Sequence, residues 1–148
     1  MNKANFNRFA LLPFLFALLI VNPHFTNAAQ FSKATAFQIS GAVSSGSKNQ
    51  GILSVKLEAF ATSTGKWGMN SIAFAMNNTN NADISKAKLF FNTQNSLTGA
   101  SRLDSISNPT GTITFNFSLN NLGINPRYLI LAFDIANNSP CGTNLIDA

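Results

Sequence analysis

The sequence predicts an all-β protein, an antiparallel β-sandwich of the Ig-like or jelly-roll-like kind that follows a cleaved N-terminal signal peptide. Short runs in which apolar and polar residues alternate with a period of two are typical of half-buried strands. Runs rich in Asn, Ser, Thr and Gly separate them, and no stretch beyond the N-terminal segment carries an apolar stripe at helical spacing. Only 10% of the residues are charged, so amides and hydroxyls supply most of the polarity.

Residues 1–29 have the organisation of a secretory signal peptide. Lys3 and Arg8 form a basic start, residues 9–21 form an apolar run, and Ala28 follows Thr26 at a spacing suited to cleavage. The apolar run is shorter than the roughly 20 residues that span a bilayer, although an N-terminal membrane anchor is the alternative. We therefore expect a secreted or cell-surface protein that has no membrane segment after cleavage.

Loss of the signal peptide changes the chemistry that the chain has available. His24, the sole histidine, is removed with it, and the formal net charge falls from +5 to +3. The remaining Lys and Arg residues are scattered, with no basic cluster interleaved with aromatic residues, so no nucleic-acid partner is expected. We divide the rest into a lead-in segment, residues 30–44, and a β-sandwich module, residues 45–148.

The module begins with a loop or irregular edge and then shows regular alternation. Residues 92–111 hold Gly99, Pro109 and Gly111 among many Ser and Asn residues, which predicts a long connection. Residues 128–135 are apolar on both faces, as in a central strand covered on both sides. The predicted strands are residues 52–62, 68–76, 85–91, 111–119 and 128–135. For residues 85–91 a short helix is the alternative, and the two phenylalanines before Asn92 and Thr93 favour the strand.

Asp134 is the one carboxylate in the last predicted strand, and it suggests a catalytic acid, a metal ligand or a structural group. We favour the structural role, with the carboxylate at the strand end accepting hydrogen bonds from N–H groups of residues 136–139. Cys141, the only cysteine, has no partner for an intramolecular disulfide. It is interpreted as a small packing residue, with intermolecular pairing as the alternative.

The residues that remain do not assemble an obvious reaction centre. Zinc would need clustered Cys or His, and nucleophilic catalysis normally needs a His base, so we predict no catalytic residues, no metal and no cofactor. A calcium site built from Asp83, Asp104 and loop carbonyls is a minor alternative. Glu58 with an Asp would supply the two carboxylates of a small glycosidase, but its place on the polar face of a strand favours a solvated charge.

Trp67 is the only tryptophan, and its sequence context, TGKWGMN, predicts a turn. An exposed aromatic ring in such a loop would stack on a sugar, which makes Trp67 the one candidate ligand-binding residue. The alternative is a plug at the edge of the sandwich core, which is the commoner role for a tryptophan of this kind.

Four segments, taken in order, carry a resemblance to a known family. They are NQGILSVKLEA (49–59), SIAFAMNNTNNADISKAKLFFNT (71–93), GTITFNFSLNNLGINPRYLILAFDIA (111–136) and GTNLIDA (142–148). Together they resemble the N-terminal domain associated with BNR-repeat neuraminidases, over roughly residues 45–148. The chain departs from that pattern at Cys141, where the family tends to have a small residue such as Ala.

The resemblance implies a bacterial β-sandwich module that is found beside sialidase propellers or as a repeated unit. Its role would be accessory: contact with a glycan or cell-surface ligand, or service as a structural spacer, with a downstream domain in a longer protein. Sialidase activity does not carry over, because the chain has no S-x-D-x-G-x-x-W box and only Arg102 and Arg127 remain where a sialidase needs three arginines. The alternatives are a pilin-like or adhesin-type assembly subunit and, less favoured, a small glycosidase.

Overall fold

The computed structural model describes residues 31–39, 43–60, 65–76 and 81–137. The predicted signal peptide, Cys141 and the C-terminal run 142–148 lie outside these ranges. The described part is nearly all β: seven antiparallel strands form two sheets, with one 3-10 turn, Asn81–Asp83, and no α-helix. The strands are β1 (Phe31–Gln38), β2 (Gln50–Ala59), β3 (Trp67–Ala75), β4 (Ile84–Asn92), β5 (Ser101–Ser107), β6 (Thr112–Leu122) and β7 (Arg127–Ile135).

The two sheets are unequal in size. Five strands pair in the order β1-β2-β7-β4-β5, and β3 and β6 form a two-stranded sheet that packs against them. β7 is the middle strand of the larger sheet, and its residues 129–135 are all buried. The predicted β-sandwich, with residues 128–135 as a strand covered on both faces, is confirmed.

Alternation along the strands decides which side chains form the core between the sheets. Successive side chains of a strand point to opposite faces, so every second residue turns inward. In β7 these are Leu129, Leu131, Phe133 and Ile135, and on the other sheet Phe74 and Phe115 make an edge-to-face ring contact with centroids 6.1 Å apart. The apolar residues that alternate with polar ones along β2 and β6 (Leu53, Val55 and Leu57; Ile113 and Phe115) are also in the core.

A carboxylate joins the two sheets at the β5–β6 side. Asp104 in β5 accepts a hydrogen bond from the N–H of Asn116 in β6 at 3.0 Å and another from the N–H of Ser105 at 2.7 Å. These bonds satisfy both carboxylate oxygens with backbone donors. Asp104 therefore links the two sheets, and this gives the carboxylate in edge strand β5 a structural role.

Two predictions about the strand boundaries are wrong. Residues 92–111 are not one long connection, because β5 lies within them and pairs with β4 from Lys86–Ser107 to Phe91–Ser101. Residues 30–44 are not a lead-in outside the sandwich, because β1 pairs with β2 as an edge strand of the larger sheet. Both strands are short of large apolar residues, and their pairing partners, rather than their own pattern, hold them in place.

No helix in the described ranges is long and apolar enough to cross a membrane.

Candidate functional site

The larger sheet has an outer face, which is the face turned away from β3 and β6. Because odd-numbered residues of β7 fill the core, Tyr128, Ile130, Ala132 and Asp134 belong to the outer face. Ile130 and Ala132 are nevertheless buried, so the middle of this face is covered. The side chains of Ile39 and Leu97 form part of this cover. They lie close to Gly51, which is opposite Ala132: a Cβ at Gly51 would lie 3.2 Å from Ile39 Cδ1 and 3.4 Å from Leu97 Cδ1.

A polar cluster of Asn49, Lys88 and Asp134 lies at one end of the outer face. Lys88 Nζ is 2.8 Å from Asp134 Oδ1 and 2.7 Å from Asn49 Oδ1. The backbone N–H of Asn49 donates to the same Asp134 Oδ1 at 2.9 Å. The three residues therefore close a ring of hydrogen bonds between the segment before β2, strand β4 and strand β7.

The ring is largely shielded from water. The side chains of Lys88 and Asp134 are 11% and 9% exposed, whereas Asn49 is an exposed residue. Burial raises the pKa of Asp134, but the hydrogen bonds from Lys88 and the Asn49 amide, with the positive charges of Lys88 and Lys48, outweigh burial. The pKa of this carboxyl consequently lies below its usual value.

The segment that carries Asn49 is fixed against the end of β7 by its backbone. Ile135 donates its N–H to the carbonyl of Ser47 at 2.9 Å, and the carbonyl of Ala136 accepts from the Gly46 N–H and the Ser45 hydroxyl. Asn49 itself has a φ of 52°, in the left-handed region that Asn tolerates better than most residues. These contacts fix the backbone of the segment, and the hydrogen bond from Lys88 Nζ holds the carboxamide of Asn49 over the sheet.

Asp134 thus has the structural surroundings that the sequence suggested, with different partners. Its carboxylate lies near the end of β7, as expected, and is satisfied by hydrogen bonds. The donors among the described residues are Asn49 and Lys88, and residues 138–139 lie outside the described ranges. Sequence reasoning missed both partners because they lie 85 and 46 residues away. The one signal in the sequence was Lys88, a lysine within the predicted strand 85–91. The structure shows that this position is buried.

A second group of polar and aromatic side chains lies at the opposite end of the outer face, and we call it the β1–β2–β7 patch. Cross-strand pairing places Thr35 beside Lys56 and Lys56 beside Tyr128. Phe37, two residues along β1, is 42% exposed. The fifth member is Glu58, so the patch comprises Thr35, Phe37, Lys56, Glu58 and Tyr128.

An ion pair lies within this patch. Lys56 Nζ is 2.7 Å from Glu58 Oε1, and both side chains are about a third exposed or less, at 27% and 33%. The hydrogen bond to Glu58 raises the pKa of Lys56 above its usual value, ahead of the opposing effect of partial burial. The patch therefore offers a fixed charge pair, hydroxyl groups and an aromatic ring on one surface.

Trp67 does not lie in a turn. It is the first residue of β3 and is 8% exposed, and its indole N–H donates to the carbonyl of Gly123 at 3.0 Å. Its ring also meets Phe31, with centroids 5.8 Å apart. An indole with these contacts presents no open ring face for a sugar, so its position favours the core-plug interpretation over the ligand-binding one.

The other carboxylates do not gather into a reaction centre or a metal site within the described ranges. Leu57 pairs with Arg127 and Gln50 with Phe133, so Glu58 and Asp134 lie at opposite ends of the β2–β7 ladder. At about 3.4 Å per residue they are roughly 25 Å or more apart, whereas the carboxyl pair of a glycosidase is separated by about 5–9.5 Å. In the same ranges, no three His, Cys, Asp or Glu residues come together, and Asp83 and Asp104 belong to different elements.

Comparison with known proteins adds no assignment. No protein-family model matches the chain, and no curated protein matches it.

Proposed function

We propose that this protein is a secreted, non-catalytic accessory module that binds a glycan or cell-surface ligand through the β1–β2–β7 patch. The observation that carries the proposal is the composition of that patch. An exposed phenyl ring, a tyrosine, a threonine and a fixed Lys–Glu pair share one sheet face. Sugars are bound by such a combination, because their C–H faces pack on aromatic rings while their hydroxyl groups need donors and acceptors.

The electrostatics of the patch favour an anionic or strongly hydroxylated ligand. Lys33 pairs across the strands with Glu58, so two lysines, Lys33 and Lys56, accompany one carboxylate at this end of the face. A glycan carboxylate would be attracted to this surplus of positive charge, and neutral hydroxyls would bond to Glu58 and Thr35. The resemblance to modules that lie beside sialidase propellers points to the same class of ligand, and it adds the role of spacer in a longer protein.

A glycan array tests this proposal. The secreted form of the wild-type chain is expected to bind a subset of sialylated or other acidic glycans, and Phe37→Ala and Tyr128→Ala are expected to reduce binding at least tenfold. Ile124→Ala is the matched control, because Ile124 is also an exposed apolar residue, at 44%, but lies in the β6–β7 turn. Silence across the array would remove the binding role and leave that of a spacer.

A second function, an assembly subunit that adds strands to a neighbour, is favoured by the sheet edges. β1 is exposed at seven of its eight positions, and within the described ranges β3 pairs only with β6. Unpaired edges of this kind accept a strand from another chain. Light scattering over a range of concentrations distinguishes the two functions: polymers that Ala34→Lys on β1 dissolves would favour assembly, and a monomer at all concentrations would exclude it.

A further inference from the structure

The contact between Lys88 and the side chain of Asn49 has a chemical consequence. Lys88 Nζ lies 2.7 Å from the carboxamide oxygen of Asn49 and 2.8 Å from Asp134 Oδ1. An amine, a carboxamide and a carboxyl group thus meet at one point, where Lys88 and Asp134 are buried and Asn49 is exposed. We propose that this cluster is a self-modification site, at which Lys88 and Asn49 become joined by an isopeptide bond while Asp134 carries the protons.

The geometry brings the nucleophile close to the carbon that it would attack. The carboxamide carbon of Asn49 is one C=O bond, about 1.2 Å, from the oxygen that Lys88 contacts. Amine and carbon therefore approach the separation of about 3–3.5 Å from which bond formation proceeds. Both groups are held there, Lys88 by its strand within the sheet and Asn49 by its own N–H bond to Asp134.

The reaction balances without any further reagent. The Lys88 ammonium passes a proton to Asp134, and the neutral amine attacks the carboxamide carbon of Asn49 to form the new C–N bond. Asp134 then returns a proton to the carboxamide nitrogen and takes one from the attacking nitrogen. The old C–N bond breaks and ammonia leaves. Asp134 then releases the proton that it took from the attacking nitrogen, and this proton converts ammonia to ammonium, so Asp134 ends as the carboxylate that it was at the start.

The surroundings suit this chemistry. Lys88 and Asp134 are both largely buried, with side chains 11% and 9% exposed, and their direct 2.8 Å hydrogen bond gives the proton of the Lys88 ammonium an acceptor within the cluster. Ile130 and Ala132, buried beside the cluster on the outer face, keep water from that side. Asn49 is exposed, so ammonia has a path to solvent. A single turnover per chain suffices, so the reaction need not be fast.

The isopeptide bond would give the fold a covalent cross-link in place of a disulfide. The chain has one cysteine and hence no intramolecular disulfide. A bond from Asn49 to Lys88 would tie the segment before β2 to β4 and close a loop across the sheet. Cross-links of this kind stabilise a fold chiefly by restricting the unfolded chain.

Mass spectrometry of the purified wild-type protein and the Lys88→Arg variant tests the proposal. The difference between their masses cancels any processing that the two chains share. We expect the wild type to be lighter than the substitution alone explains, by one molecule of ammonia, about 17 Da. We also expect trypsin to leave the Lys88 bond uncut and to release a branched peptide that contains both Asn49 and Lys88.

Further variants identify each participant. Asn49→Gly, which keeps the backbone N–H and suits the left-handed φ, and Asp134→Asn are expected to retain the full mass. Lys56→Arg is the matched control, since Lys56 is a paired lysine of the same sheet face, and it should lose ammonia as the wild type does. A wild-type chain of full mass, or one that loses ammonia while trypsin still cuts after Lys88, as a succinimide would, overturns the proposal.

Discussion

Lys88 Nζ lies 2.8 Å from Asp134 Oδ1, and the ion pair runs diagonally between two strands. The residue directly opposite Asp134 on β4 is Lys86, whereas Lys88 lies opposite Ala132. The long lysine side chain therefore reaches along the sheet to a carboxylate that also holds the backbone of Asn49. One carboxylate oxygen thus fixes three parts of the chain that are remote in sequence.

Replacement of Asp134 by Asn should lower stability in the Asn49→Gly background, where Lys88 cannot be joined to residue 49 and stays an ammonium. The variant leaves the Lys88 ammonium mostly buried without its counter-charge, although an amide oxygen remains as an acceptor. We expect a loss of about 1–3 kcal/mol in the free energy of unfolding, measured by urea denaturation at neutral pH. Glu58→Gln, which breaks the more exposed pair with Lys56, should cost clearly less. An unchanged midpoint for Asp134→Asn would contradict a structural role.

The pH dependence of stability follows from the lowered pKa of Asp134. It is measured in the Asn49→Gly background, where Lys88 has no carboxamide to react with and the ion pair remains. A lowered pKa in the folded state adds stability that is fully present above the unfolded-state value, about 4, and that is lost as the pH falls through the folded-state value. The stability difference between Asn49→Gly and Asn49→Gly/Asp134→Asn should therefore be constant near neutral pH and shrink below about pH 4. A difference that widens as the pH falls would show that folding does not lower the pKa of Asp134.

Replacement of Ser54, unlike that of Asp134, should not lower the stability of the fold. Its hydroxyl is fully buried on the outer face of β2 and has no hydrogen-bond partner among the residues that the structure describes. A buried polar group without a partner destabilises the fold, so Ser54→Ala should be neutral or raise the free energy of unfolding by up to about 1 kcal/mol. Thermal melts of this variant and of Ser107→Ala, an exposed serine in β5, supply the comparison. A marked loss of stability specific to Ser54→Ala would reveal a partner for the hydroxyl.

Trp67→Phe separates the two interpretations of the tryptophan. The variant removes the bond from the indole N–H to Gly123 and leaves part of the space beside Phe31 unfilled. We expect a destabilisation of about 1–3 kcal/mol with glycan binding unchanged once the protein is folded. Loss of glycan binding with an unaltered melting temperature would instead support sugar stacking by Trp67.

The sequence predicts a strand well when one face of that strand is buried and the other is exposed. β6 is the clearest case, because Ile113 and Phe115 alternate with Thr112 and Thr114, and burial follows the same period. β5 was not accessible, since its sequence, SRLDSIS, has few large apolar residues and is ordered by pairing with β4. β1 was missed for the same reason: an edge strand takes its conformation from its neighbour.

Only part of the polar cluster of Asn49, Lys88 and Asp134 could be predicted from the sequence. The sequence singled out Asp134 as a structural carboxylate, because a lone charge in an apolar strand must be satisfied. It did not indicate Lys88 or Asn49, because the contact depends on the register between β4 and β7 and on the path of residues 43–49. Trp67 was misplaced because the glycines and polar residues around it suggest a turn, whereas Gly68 serves the irregular pairing of β3 with β6. A Cβ at Gly68 would lie 2.8 Å from the carbonyl oxygen of Leu119.

The most direct test of the proposed function is an NMR titration of the isotope-labelled protein with an acidic glycan, 3′-sialyllactose. Binding through the β1–β2–β7 patch predicts concentration-dependent shifts of the amide signals of Thr35, Phe37, Lys56 and Tyr128, with those of β6 unmoved. The same titration of Phe37→Ala should give a dissociation constant at least tenfold higher. Saturable shifts that map to β3 and β6, or a spectrum that does not change at millimolar glycan, would contradict ligand binding by this face.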